Sequence, residues 1–403
     1  MLFSVVMEVG DSLIRVGMGG EVHPRLICKG CDYSLHQHYD NDTSSDNANT
    51  LRERLQYMLT VFFSHHLPCK ARDCRVLIVE KLLCKKVLRD CLVSTLLLDF
   101  QVTSISLQPD LLMPILTTGK SSGIIIDIGI NECTVIAVAY GYIILQSLKV
   151  AAVGINNCIK KFKKSIEISV GHNVDYCASK DLFEKVAFCS VSSDMSSNDI
   201  YVAPRGGLSK TGFTIPTRQR QSCFNHIING LIEDENDNDE FGGVAGSLLE
   251  CLKSCPPDVR SVVSSNIVFC GEGSDIPGLP AAICMEATTK AKNDSKYDKI
   301  KDVFNSLIDQ KFTIEACDYN RTNLAWIGGS LFSSLKSNDS KFIKLKDFAN
   351  SNVIDDDGPG SAISSERYLN APDWMSLTNK DWTFLGPKLH LSQAANSQSA
   401  RGY

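Results

Sequence analysis

The chain has 403 residues, of which 43% are hydrophobic and 22% charged, and carries a net charge of −5 at neutral pH. That balance describes a globular protein with a large core and roughly two to three domains. No basic tract is longer than residues 160–164, which argues against nucleic acid as a main partner, and no apolar run is long enough for membrane insertion.

The N-terminal stretch MLFSVVMEVG has no basic segment ahead of it and too short an apolar run for a signal peptide. It reads as the first core strand, and the chain as cytosolic or nuclear. Sixteen cysteines scattered through apolar runs, with no secretory signal, then point to reduced and mostly buried thiols. Cys28 and Cys31 form one CxxC, with Cys69 and Cys74 as the nearest second pair, a spacing that suits zinc poorly.

Residues 5–20, VVMEVGDSLIRVGMGG, predict a hairpin. An acid, Glu8, closes the first strand, Gly10 follows two residues later, and a second apolar run leads into glycines. Residues 25–27 are extended, and the polar stretch 29–49 reads as a surface loop or small excursion. Leu51, Leu55, Met58, Leu59 and Phe62 share one helical face across residues 51–63. The adjacent His65 and His66 cannot share a face and suit a helix end better than a metal site. A buried strand at 75–80, a helix at 85–98, a strand at 104–107 and a short buried helix at 110–116 follow.

Residues 121–141, SSGIIIDIGINECTVIAVAYG, predict a second hairpin with strands at 123–126 and 133–139. Its turn carries Asp127, Gly129, Asn131 and Glu132. Acid-x-Gly thus recurs at a hairpin tip, which suggests a duplicated unit. Two such tips facing across a cleft would grip a polyphosphate, with backbone N–H groups on its oxygens and the acids holding a metal through water. The plainer alternative is a β-rich protein whose hairpins simply have polar tips.

A third strand at 142–148 and a helix from residue 154 come next, the basic run 160–164 being the solvated face of that helix. A helix is expected at 181–189, and a mixed region at 190–221 with a loop, RGGLS, at 205–209. The acidic stretch EDENDNDE at 233–240 lacks the Gly and spaced Glu of a calcium loop and reads as a solvated loop. Residues 248–252 are helical, and another short helix starts at 256–258. The strand NIVFC at 266–270 enters a glycine-rich turn, 271–278, that opens a helix. Strand, glycine turn and helix together let a backbone approach a nucleotide closely. Residues 325–335, AWIGGSLFSSL, are expected to form an apolar strand that breaks at Gly328 and Gly329 into a helix. Residues 337–365 read as a polar linker or insertion, 367–377 as the end of the ordered part, and the Ser/Gln/Ala-rich remainder as a loose tail.

Two acid-tipped hairpins, a glycine turn after NIVFC and the WIGGS segment at 326–330, in this order over nearly the whole chain, resemble the actin family. The resemblance implies an α/β, actin-like fold of the actin, sugar kinase and chaperone ATPase type. That fold has two duplicated lobes around a central nucleotide cleft, here with a reduced subdomain 2. Its expected division is 1–28 with 50–117 and 324–403 as the first lobe, 29–49 as the reduced subdomain 2, 118–155 with 245–323 as the second lobe, and 156–244 as subdomain 4. Gly10, Asp11, Ser12, Leu13 and Arg15 fall on the first phosphate loop, with Arg15 at the family's phosphate-contacting Lys. Asp127, Gly129 and Asn131 fall on the second loop, and Gly271, Glu272 and Gly273 on the adenosine side. Asp127 and Glu8 would hold a metal through water. ATP or ADP with Mg is the ligand this implies.

Residues 68–79, 80–84, 127–133 and above all APDWMSL at 371–377 resemble the branch of pointed-end actin-related proteins, which cap the dynactin filament. The implied partners are actin-related filament subunits and the pointed-end subunits of dynactin, and indirectly dynein and cargo. A short 29–49 suits a subunit that ends a filament. Departures from the family fall on chemistry. Asp11 replaces a phosphate-facing Ser, Ile130 and Asn131 replace an acid and a glycine, Asp110 stands near the water-orienting Gln, and Glu272 and Ile276 replace a glycine and an aromatic. Loss of hydrolysis is expected, because phosphoryl transfer depends on a positioned water and balanced phosphate charge; the cleft then either keeps a nucleotide as a structural ligand or stands empty. The rival expectations are a sugar kinase or chaperone-type ATPase of the same superfamily, and a nuclear actin-related subunit of a chromatin-remodelling complex.

Overall fold

The computed structural model describes residues 2–10, 12–33, 45–82, 84, 86–189, 199–209, 211–230, 242–300, 319–335, 338 and 342–344. Asp11, the acidic stretch 233–240, the segment 371–377 and most of 29–49 and 337–365 lie outside them. The chain divides into two compact units, Met1–Gly20 with Arg25–Gln108 and Ser333–Tyr403, and Glu21–Pro24 with Pro109–Phe332.

The first unit is built on a hairpin of β1 (Phe3–Val9) and β2 (Leu13–Met18), extended by β3 (Leu26–Lys29). The chain then passes through α1 (Ser45–Val61) and returns as β4 (Cys74–Glu80), parallel to β1. Val, Ile and Leu bury both faces of β1 and β4, as a central parallel pair requires. After α2 (Lys86–Ser94), β5 (Ser104–Pro109) joins on the far side of β4, and the two-residue strand Ile343–Lys344 pairs antiparallel with β5. Leu51, Leu55, Met58, Leu59 and Phe62 face the core, as their spacing predicts. Arg52 on the outer face of α1 donates from Nε to Asp99 Oδ2 at 3.0 Å, and this bond holds the Asp99 carboxyl below its usual range.

The second unit starts with α3 (Met113–Leu116) and repeats the plan. Strands β6 (Gly123–Ile128) and β7 (Cys133–Ala139) form the hairpin, and β8 (Tyr142–Ala151) adds antiparallel to β7. A long excursion follows through α4 (Ile155–Val170), α5 (Tyr176–Val186), the small hairpin of β9 (Ile200–Val202) and β10 (Phe213–Ile215), then α6 (Thr217–Ser222), α7 (Asn225–Asn229), α8 (Gly243–Ser254) and α9 (Pro257–Ser264). It returns as β11 (Ile267–Cys270), parallel to β6. The order β11-β6-β7-β8 therefore matches β4-β1-β2-β3. The sequence suggested a duplicated unit from two tips; the strand topology carries the repeat through four strands of each sheet. Helix α10 (Leu279–Asn293) leaves the glycine turn as predicted, and α11 (Leu324–Ser334) closes the unit.

Three local expectations are corrected. Residues 325–335 hold no strand: α11 runs through Gly328 and Gly329 unbroken. Its residues are buried nearly all round, so no amphipathic period marks it as a helix. Gly328 is a packing residue rather than a breaker, because a Cβ there would lie 2.0 Å from the Met113 carbonyl oxygen. Gly328→Ala is expected to lower stability by about 1–3 kcal/mol through overpacking, read as a lower midpoint in a urea melt. The helix expected at 181–189 is α5, five residues earlier, because Asp175 caps it by accepting the Ala178 N–H at 2.9 Å. The helix expected at 110–116 is only α3, since Asp110 Oδ1 accepts the Leu111 N–H at 2.8 Å and holds a turn there instead.

Among the described residues the cysteines are free thiols and most are buried. Cys74 and Cys69 lie together, Sγ to Sγ 3.2 Å, and burial pushes the Cys74 thiol up. Cys28 lies on β3, where its Sγ donates to the Ile14 carbonyl.

Candidate functional site

The two hairpin tips have the same build. In the first, the Gly10 N–H donates to the Leu13 carbonyl at 3.1 Å; in the second, the Gly129 N–H donates to the Glu132 carbonyl at 3.0 Å. In each tip the acid stands two residues before its glycine. Glu8 pairs across the strands with Arg15, and Asp127 with Thr134. That equivalence in register separates the tips chemically.

In the first unit the cross-strand partner is a cation. Arg15 Nη1 donates to Glu8 Oε1 at 2.6 Å, with the arginine side chain 3% exposed. The group expected to meet a phosphate thus has a carboxylate already bound to it. Ser12 and Leu13 are half-buried at this tip, and the Ser12 carbonyl accepts the Gly30 N–H at 2.9 Å.

In the second unit Asp127 is buried at the end of β6, opposite Cys270 of β11. The buried Cys133 thiol beside it is pushed far above its usual range, first by burial and then by the Asp127 charge. Directly after β11 the glycine turn folds back on the tip. Gly271 has φ +85, and the Gly273 N–H donates to the Ile128 carbonyl at 2.9 Å. Ser274 closes the turn with its N–H and hydroxyl on the Gly271 carbonyl. Glu272 and Ile276 lie half-buried along it. The start of α11 is tied to the same turn: Thr322 Oγ1 donates to Asp275 Oδ2 at 2.7 Å. The structure therefore brings Asp127, Gly129, Asn131, Gly271, Glu272 and Gly273 into one neighbourhood of one unit. Gly10, Ser12, Leu13, Arg15 and Glu8 form the tip of the other.

Helix α4 backs the second tip. The Ile155 and Asn156 N–H groups donate to the Gly129 and Ile130 carbonyls at 3.1 and 2.9 Å. Asn156 Nδ2 donates to Asn131 Oδ1 at 2.7 Å, and the Tyr176 hydroxyl donates to Asn156 Oδ1 at 2.7 Å. Sequence reasoning missed Asn156 and Tyr176. Two amides in the first turn of an otherwise amphipathic helix were the available signal for Asn156. Tyr176 gave none, since it lies 45 positions from Asn131. The second neighbourhood thus joins a buried carboxylate to a tip and a turn whose glycines let the protein's own backbone come close.

Residues 207–352 match the family described as Actin. The chain is similar to actin-related protein 10 of Dictyostelium discoideum, 21% identical over 93% of this chain and 90% of that protein. It is also similar to putative actin-29 of the same organism, 23% identical over 86% of this chain and 94% of that protein. Actin-related protein 2 of Arabidopsis thaliana is 20% identical over 69% and 79%. The resemblance carried by the motifs is borne out, and the chain has an actin-like α/β fold. Among the described residues no helix is long and apolar enough to cross a membrane.

Proposed function

We propose that this chain is a non-catalytic, structural actin-related subunit that caps the pointed end of the dynactin filament and helps recruit the other pointed-end subunits. In that role it supports dynein-driven transport along microtubules in the cytoplasm. The observation that carries the non-catalytic part is the buried Glu8–Arg15 pair. Phosphoryl transfer needs cationic groups aimed at the transferring phosphate. The Arg15 guanidinium instead neutralises a carboxylate of its own hairpin. Ile130 at the crest of the second tip adds no charge that could hold a metal-bound water. The likeness to actin-related protein 10, along nearly the whole chain, supports the branch.

The second tip and glycine turn fit a nucleotide better than they fit its hydrolysis. Gly271 and Gly273 let the turn pack closely on Asp127, Ile128 and Ile155, and the Asp127 carboxylate is the group that would hold a hydrated cation. ATP or ADP with Mg would then act as a structural ligand that favours the folded state by mass action, by about 3–4 kcal/mol at a hundred to a thousand times its Kd. The test is affinity capture of the tagged protein from its own cells with mass spectrometry of the partners, alongside phosphate release by the purified chain. Recovery of the dynactin filament and its pointed-end subunits, with no phosphate release above background, is the expected result. Chromatin-remodelling subunits in the capture, or brisk turnover of ATP, would overturn the proposal.

A further inference from the structure

The two tips differ in what stands behind them. Each is backed by the segment that follows the third strand of its sheet. In the first unit this is the Gly30 N–H on the Ser12 carbonyl. In the second it is the first turn of α4, which adds a side-chain relay from Tyr176 through Asn156 to Asn131.

A turn binds an anion through backbone N–H groups only while those groups hold a common direction. Asn131 sits on the crest, so a bond that fixes its side chain also restrains the crest backbone. Asn156 supplies that bond, its Nδ2 donating to Asn131 Oδ1 at 2.7 Å. The Tyr176 hydroxyl bonds the other end of that amide, at Oδ1, and so holds the Asn156 side chain against Asn131. The main-chain bonds from Ile155 and Asn156 hold the carbonyl side of the same crest. Asp175 anchors Tyr176 in turn, because its side chain caps α5 and its N–H donates to the Gly207 carbonyl at 2.9 Å.

We propose that Tyr176 is a positioning residue for the polyphosphate at the second tip, acting through Asn156 on Asn131. This inference rests on the nucleotide reading above and adds the residues that preorganise the tip. It concerns the polyphosphate and not the adenosine, because the relay ends on the crest and not on the glycine turn.

The test uses the full chain and a fluorescent ATP analogue, displaced by tripolyphosphate in one series and by adenosine in another. Tyr176→Phe is expected to weaken tripolyphosphate by about threefold to tenfold, the effect of one hydrogen bond, while adenosine affinity and the nucleotide-free Tm stay as in the wild type. Asn156→Ala should weaken tripolyphosphate as well, and adding Tyr176→Phe to it should cost nothing more, because the two residues act in series. Unchanged tripolyphosphate affinity in Tyr176→Phe overturns the inference. So does an equal loss for adenosine, or an equal further loss in the Asn156→Ala background. A wild-type chain that binds no analogue at all overturns the nucleotide reading itself, and that result is visible before any variant is made.

Discussion

Arg15→Ala is expected to lower stability by about 3–5 kcal/mol, because it leaves a buried carboxylate with its counter-charge removed. Glu8 and Arg15 face each other across β1 and β2, beside the first hairpin tip, and neither side chain is more than 11% exposed. Taking two charges out of water is costly, and their mutual attraction at 2.6 Å offsets that cost only while both are present. Glu8→Ala should therefore be nearly as damaging, since it takes the paired carboxylate from a buried guanidinium. The double change Glu8→Leu with Arg15→Met removes both charges and keeps the volume, and should recover most of the loss. Urea unfolding of the four proteins compares the loss of one charge with the loss of both. The same set separates two roles for Arg15. If Arg15→Ala unfolds at the wild-type midpoint yet loses nucleotide, Arg15 serves the ligand and the argument from the ion pair fails.

Gly271→Ala is the second large expected effect. Its φ of +85 lies where a side chain costs about 1–2 kcal/mol. The added Cβ would also lie 2.1 Å from Asp127 Oδ1 and 2.7 Å from the Ile128 carbonyl oxygen. The carboxylate can rotate away, but the carbonyl belongs to β6 and already accepts the Gly273 N–H. Forcing these apart adds about 1–3 kcal/mol of overpacking, and it displaces Asp127, the turn and the β6–β11 junction together. A urea midpoint well below wild type and loss of analogue binding are the expected results. A fully stable Gly271→Ala protein that still binds would show that the turn does not need to approach Asp127 closely, and would remove the turn from the candidate site.

Much of the candidate site was legible because its signals are local. Acid-x-Gly between two apolar runs fixes a hairpin tip wherever it occurs, and both tips fold as their sequences indicate. NIVFC followed by closely spaced glycines has only one easy outcome, a buried strand entering a turn that opens a helix. The failures are local too, and have physical causes. Residues 325–335 mix apolar side chains with glycines and small serines, two of them buried, so the helix has no charged face and no clear period to read. The start of α5 was misplaced because an N-cap is a single side-chain bond, here from Ala178 to Asp175, and not a pattern.

The strands of the two hairpins, their tips, the glycine turn and the resemblance to actin-like proteins are legible in the residues alone, because each depends on positions near in the chain and on hydrophobic period. Only the tertiary structure decided what the charged and polar groups of the tips do. Arg15 could face a phosphate or Glu8, and the antiparallel register settles on Glu8. Asn131 could turn outward or accept a bond, and the first turn of α4, brought back after β8, supplies the donor. Charge and hydrogen-bonding capacity are written in residue type, but the partner that satisfies them is chosen by strand pairing and helix placement, which no single stretch of sequence contains.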